Sequence, residues 1–195
     1  MRIGVLAVQG AFLEHENMLA ELGCESVELR QRKDIDDIDG LILPGGESTV
    51  QGKLLRDLGM FQPLQQLIRS GLPVLATCAG LILLAQHLAD DTTVHFGTMP
   101  VTVRRNAYGR QLGSFQQTVP LKGLGQFTMT FIRAPYITQA APDVDILATI
   151  DDHIVAARWQ NQTALAFHPE LGTDTRLHAQ WLESIKTESP LSTAV

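Results

Sequence analysis

Short, unbroken apolar runs alternate with helical patterns through the first ninety residues, and few folds accept that order. Ile3 to Val8 is apolar and of strand length; Phe12, Leu13, Leu19 and Leu22 then recur at helical spacing up to Gly23. Val27-Glu28-Leu29 reads as a short strand, and an acidic turn from Asp34 to Asp39 leads into Gly40-Leu41-Ile42-Leu43, which stops at Pro44-Gly45-Gly46. Helical spacing returns over Thr49 to Leu58 and Phe61 to Ile68, before the strand Pro73 to Ala76 and a helix expected over Leu81 to Leu88. Strands that lack polar alternation must be buried on both faces. The expectation is therefore a mainly parallel sheet covered by helices on each side.

Beyond residue 90 the pattern changes. Val94 to Val103, Phe115 to Val119, Gln126 to Ile132, Ile146 to Ile150 and Ile154 to Arg158 read as strands joined by turns, an antiparallel or mixed extension of the sheet. Thr163 to Phe167 is a further buried strand. A last helix, Thr175 to Lys186, carries Leu177, Trp181, Leu182 and Ile185 on one side, and residues 187–195 read as a frayed tail. With 195 residues, no internal repeat and no linker, one α/β domain over residues 1–186 is expected, large enough to bury its own core.

Composition narrows the partners. A formal net charge of −6 leaves no electrostatic footprint for nucleic acid, so small molecules or another protein are expected instead. No apolar stretch has membrane-span length, and the chain opens as a strand and not as a signal peptide, so a cytoplasmic protein with no membrane partner is expected. Cys24 and Cys78 have neither disulfide-scaffold nor zinc spacing, and the six histidines form no HExxH pairing. No metal and no cofactor is called for.

Two distant segments carry chemistry. Cys78 follows the strand Pro73 to Ala76 within Ala76-Thr77-Cys78-Ala79-Gly80 and precedes a helical run, so it sits on a strand-to-helix elbow whose sharp bend needs small neighbours. A helix starting there favours the thiolate, the nucleophilic form of a cysteine. Phe167-His168-Pro169-Glu170 ends another buried run; at positions i and i+2 of extended chain His168 and Glu170 share a face, so the carboxylate can hold one ring nitrogen while the other meets the thiol. Together they read as a Cys-His-Glu triad. The plainer alternative, Cys78 as a small buried hydrophobe and His168 as a loop residue, is outweighed because the two local contexts agree. Pro44 to Thr49 is no phosphate loop, because five residues and not four separate Gly46 from Gly52-Lys53, and Leu54 stands where Ser or Thr is required. An oxyanion loop fits it better, a plain turn being the alternative.

Val8-Gln9-Gly10 with Glu14-His15, PGGEST at residues 44–49, Thr77 to Gly80, NAYGRQ at residues 106–111, FIRAP at residues 131–135 and His168-Pro169-Glu170-Leu171 closely resemble the glutaminase subunits of pyridoxal 5′-phosphate synthase, from residue 1 to about residue 186. That resemblance implies a flavodoxin-like, three-layer class I glutamine amidotransferase fold. It implies Cys78 as nucleophile with His168 and Glu170 completing the relay, Gly46, Glu47, Ser48, Arg105, Ile132 and Arg133 as glutamine-binding positions, and backbone N–H groups of Gly46 and Ala79 as the oxyanion hole. It implies L-glutamine as substrate and, as partner, a (β/α)8-barrel lyase subunit in a large heteromeric complex. That subunit would join the ammonia to ribose 5-phosphate and glyceraldehyde 3-phosphate. Ala76 departs from the family, which usually has Gly there. Other readings remain: a glutaminase serving another synthase, such as that for imidazole glycerol phosphate, a cysteine hydrolase of the same fold, or a binding module without catalysis.

Overall fold

The computed structural model describes residues 1–105 and 113–188, so the NAYGRQ segment and residues 189–195 lie outside the described residues. In chain order the first half forms β1 (Arg2–Leu6), α1 (Phe12–Glu21), β2 (Glu25–Leu29), β3 (Gly40–Leu43), α2 (Ser48–Asp57), α3 (Phe61–Arg69), β4 (Val74–Thr77) and α4 (Ala79–Leu84). The second half adds β5 (Ala85–Leu88), β6 (Met99–Arg104), the hairpin β7 (Ser114–Leu121) and β8 (Gly125–Ile132), β9 (Tyr136–Ala140), β10 (Asp145–Ile150), β11 (His153–Trp159), β12 (Gln162–Leu165) and α5 (Arg176–Glu188).

The main sheet runs β2-β1-β3-β4-β12-β11-β9-β6-β5, with β10 on β11. From β2 to β12 every pairing is parallel; β11 then turns antiparallel to β12 and β9, and β9 to β6. The mixed α/β architecture expected from the sequence is the one observed. Its centre is the driest part: every residue of β3 and β4 is buried, as unbroken apolar strands require. Each Leu or Ile fully buried there contributes about 1.5–3 kcal/mol by leaving water. Helix α5 lies over the start of β3, where a Cβ on Gly40 would press on Ile185 and Trp181.

Sequence and structure differ at a few places. The helix foreseen over Leu81 to Leu88 starts at Ala79 and stops at Leu84, where Ala85 turns to φ −59°, ψ 135° and the chain becomes β5 beside β6. A continuous apolar run does not distinguish helix from strand by period. The strand foreseen from Val94 begins only at Met99, because Phe96 and Thr98 spend their N–H groups on the carbonyls of Leu83 and Leu84 and so cap the end of α4. Strand β9 was not foreseen; Thr138 and Gln139 interrupt its apolar character. Helix α5 also runs through Glu188, past the expected boundary at residue 186.

Candidate active site

Parallel strands end on a common edge of the sheet, where backbone groups are left unpaired and ligands of open α/β sheets bind. The segments after β1, β3, β4 and β12 meet here. The register pairs Leu165 with Thr77, so Cys78 lies one residue beyond β4 and His168 three beyond β12. The Cys78 N–H donates to the Leu165 carbonyl (2.8 Å) and the His168 N–H to that of Thr130 in β8 (2.8 Å), which fixes both backbones.

Cys78 has φ 47° and ψ −98°, a left-handed geometry that costs a non-glycine residue roughly 1–3 kcal/mol and persists only where its surroundings impose it. The surroundings do. A Cβ on Gly80 would run into the Leu43 carbonyl oxygen, so only glycine lets α4 start this close to the end of β3. Gly45 is held as tightly, since a Cβ there would collide with Cε1 of His168. Ala76 is fully buried within β4, and the elbow is formed with it in place.

His168 Nδ1 donates to Glu170 Oε1 at 2.7 Å, and the ring shares the flank of Gly45 with the Cys78 side chain. Burial alone would lower the imidazole pKa. The interactions with Cys78 and Glu170 outweigh it and push His168 up to about 10. Glu170 is buried, which would raise its pKa, yet the neighbouring His15 and His168 bring it below the ordinary carboxylate value. The arrangement is that of an imidazolium held between a sulfur and a carboxylate, poised to lose or regain a proton.

Around this centre lie groups to which the sequence assigned no part. Thr77 Oγ1 accepts from the Gly45 N–H (2.9 Å) and lies 3.5 Å from Glu170 Oε1, joining the glycine loop to the carboxylate. His15 Nε2 is 3.2 Å from Thr77 Oγ1 and 3.5 Å from Glu170 Oε2, and His15 Nδ1 is 2.9 Å from Nε2 of His178 in α5. Thr77 and Glu14-His15 stood within the motifs quoted above, but His178, 163 residues from His15, carries no local signal.

The predicted glutamine-binding positions divide. Gly46 and Glu47 are exposed at the loop after β3 while Ser48 is buried at the start of α2. Gln9 Oε1 accepts from the Glu47 N–H (2.8 Å), and the Gly45 carbonyl accepts from the Ala11 N–H (2.9 Å), so the β1 loop braces the β3 loop. Ala79 opens α4, where first-turn N–H groups have no partner within the helix. Ile132 reaches Cys78 through its backbone: its carbonyl lies 3.9 Å from Sγ while the side chain is exposed. Arg133 (φ 44°) is exposed. Arg105 is not brought against the triad; its guanidinium pairs with Asp91 at 2.8 Å and faces Asp90 at 3.8 Å. Among the described residues no cluster of three or more His, Cys, Asp or Glu is arranged to hold a metal ion, and no helix is long and apolar enough to cross a membrane.

Known proteins share both the sequence and the fold. Residues 5–187 match the model of the SNO glutamine amidotransferase family. Over 186 residues the chain is 61% identical to a pyridoxal 5′-phosphate synthase subunit PdxT of Desulfitobacterium hafniense, covering 95% of this chain and 94% of that one. It is 58% identical over 186 residues to the PdxT subunit of Methanocorpusculum labreanum, covering 95% and 98%. A crystal structure of a glutamine amidotransferase superimposes with a TM-score of 0.90 at 40% identity, covering 94% of this chain and 98% of the other. The structure of PurLQS from Thermotoga maritima shares the fold at 15% identity, with a TM-score of 0.69 over 95% of this chain and 97% of that one.

Proposed function

The chain belongs to the SNO glutamine amidotransferase family, and from that membership we propose that it hydrolyses L-glutamine to L-glutamate and passes the ammonia to a synthase subunit that makes pyridoxal 5′-phosphate. The observation that carries this reading is Cys78 held at a left-handed elbow against His168, itself hydrogen-bonded to Glu170, in a chain so close to PdxT subunits.

The chemistry follows from these groups. Sγ of Cys78 attacks the side-chain carboxamide carbon, forming a tetrahedral species whose negative oxygen is met by backbone N–H groups, those of Gly46 and Ala79 in this proposal. His168 gives its proton to the departing nitrogen, ammonia leaves, and a thioester remains on Cys78. His168 then takes a proton from water as the water attacks the thioester, and glutamate departs as the thiolate is restored. Glu170 stays ionised throughout and supports the imidazolium. At the substrate's other end, Glu47, Ser48 and the backbone at Ile132 and Arg133 form the rim. Arg105 would exchange Asp91 for the α-carboxylate, a trade between two charge-assisted bonds.

The acceptor chemistry is assigned to the partner, a barrel-shaped lyase subunit in a heteromeric cytoplasmic complex. Leu13 on α1, Ile132 at the end of β8 and Leu171 beside Glu170 are exposed apolar side chains on segments that build the site, which is where a partner receiving ammonia would dock. Co-expression with the candidate synthase, co-purification and glutamine-dependent formation of pyridoxal 5′-phosphate test the reading. Mixing should also accelerate the weak glutaminase of the lone chain. Glutamine turnover that is already full alone and unchanged on mixing, with no vitamin formed, would overturn the assignment of this partner.

A further inference from the structure

Glu170 presents one oxygen to His168; its other oxygen, Oε2, is buried and has no hydrogen-bond partner, with His15 Nε2 lying 3.5 Å from it. The protonation of His15 follows from its contacts. Both His15 and His178 are fully buried, and burial lowers their pKa, so both are neutral and each carries one ring proton. If that proton sat on His15 Nδ1, a lone pair at Nε2 would face the Glu170 carboxylate, and His178 would bury an unpaired N–H at Nδ1. Placed on Nε2, it donates to Thr77 Oγ1 and turns the positive end of the N–H bond toward Glu170. His15 Nδ1 then accepts from His178 Nε2–H, and the atom left without a partner is an acceptor, the less costly omission. Thr77 closes the circuit: its oxygen accepts from His15 and from the Gly45 N–H, and its hydroxyl faces Glu170 Oε1.

We propose that His15 is a positioning residue for the reaction: neutral, and in a tautomer set by His178 of α5, it gives its Nε2–H to Thr77 and turns the positive end of that bond toward Glu170 beneath His168. The inference rests on the glutaminase reading for its chemistry, but the relay is a property of the folded chain. Cys78 between β4 and α4, Glu170 two residues beyond the ring, and His15 from α1, itself influenced by Glu14 and linked to His178 of α5, are the titratable groups set around His168. A carboxylate that loses this dipole, and the Thr77 contact it braces, is less well held and supports the imidazolium less.

The test uses the full chain and two readouts. In His15→Leu the NMR titration midpoint of the His168 imidazole should fall by about one unit. With the synthase subunit present, kcat for glutamine should fall about tenfold, the same free-energy change, while KM stays within about twofold. His15→Gln, which can return an N–H donor to the Nε2 position, should restore both. Should His15→Leu not fold, His15→Asn places its amide at the Nδ1 position and reads the same shift. A folded variant lacking the donor, with an unmoved His168 midpoint and wild-type kcat, would overturn the proposal. If the midpoint moves but wild-type protein turns over no glutamine, the relay stands and the glutaminase reading falls.

Discussion

The two walls of the site are built differently. One wall, Gly45, Thr77, Cys78, His168 and Glu170, grows from the ends of buried parallel strands; its polar groups, Glu170 Oε2 apart, bond within the buried interior, and none of the five is more than a tenth exposed. The other wall, Gly46, Glu47, Ile132 and Arg133, with Arg105 farther along the rim, is exposed or half-exposed and offers backbone atoms or charges engaged elsewhere. On the proposed mechanism, rigidity is placed where bonds are made and broken. Geometry there has to be fixed before substrate arrives, whereas the substrate-holding side can exchange water and counter-ions as glutamine enters.

The sharpest way to break this contrast is through the two cysteines. Cys78→Ala should lower glutamine turnover on the order of 10⁴-fold or more, while Cys24→Ala, at a half-buried position after α1, stays within about twofold. Ordinary activity in purified Cys78→Ala protein would remove the first wall from the chemistry altogether. A smaller probe acts on spacing alone. Gly45→Ala drives a methyl group into the His168 ring and should cost on the order of 10²-fold in kcat, as displacements near 1 Å do. Arg133→Ala, on the other wall, should change neither constant more than about threefold, because that side chain points to solvent and the nearby contact to Cys78 comes from the Ile132 backbone. Equal losses in the two variants would erase the distinction.

Legibility in the sequence divides along the same line. The parallel half was readable because each strand is a short apolar run stopped by glycine or proline, and Cys78, His168 and Glu170 were readable because each ends such a run. Local pattern failed where one segment serves another. Phe96 and Thr98 form no strand because their N–H groups cap α4, and His178 acts on a residue in α1 that only the folded sheet brings near. Arg105 shows the converse. Its chemistry suits a carboxylate, and the structure supplies one from Asp91, which no spacing rule foretells.

Arg105 gives the next probe. If it exchanges Asp91 for the α-carboxylate of glutamine, Arg105→Ala should raise KM about tenfold with kcat little changed, the size of one charge-assisted hydrogen bond. A fall in kcat at unchanged KM would instead move Arg105 onto the catalytic wall.

The probe that separates the walls without substrate is the response of stability to pH. His15 and His178 have lowered pKa values in the fold, His178 down to about 3, with burial as the main cause. Between an unfolded value near 6.5 and these folded values the unfolded chain binds the extra protons, so stability is fully present above pH 6.5 and is lost as pH falls below it. Each such histidine gives a slope of about 1.4 kcal/mol per pH unit, roughly 3 to 5 °C in Tm for a chain of this size. His168 acts with the opposite sign. Its folded value is raised to about 10, so its contribution is complete below 6.5 and is lost as pH rises through 10. The buried wall therefore predicts a Tm that peaks near pH 6.5 and falls on both sides. His178→Gln, which can keep the N–H donor but cannot be protonated, should flatten the acid limb, and Cys78→Ala, which removes one partner of His168, should flatten the alkaline limb. Asp91→Asn and Arg105→Ala, on the exposed side, should leave both limbs in place. Differential scanning calorimetry from pH 4.5 to pH 10 reads all four variants. An acid limb unchanged in His178→Gln would show that the loss of stability comes from surface carboxylates and not from the buried histidines.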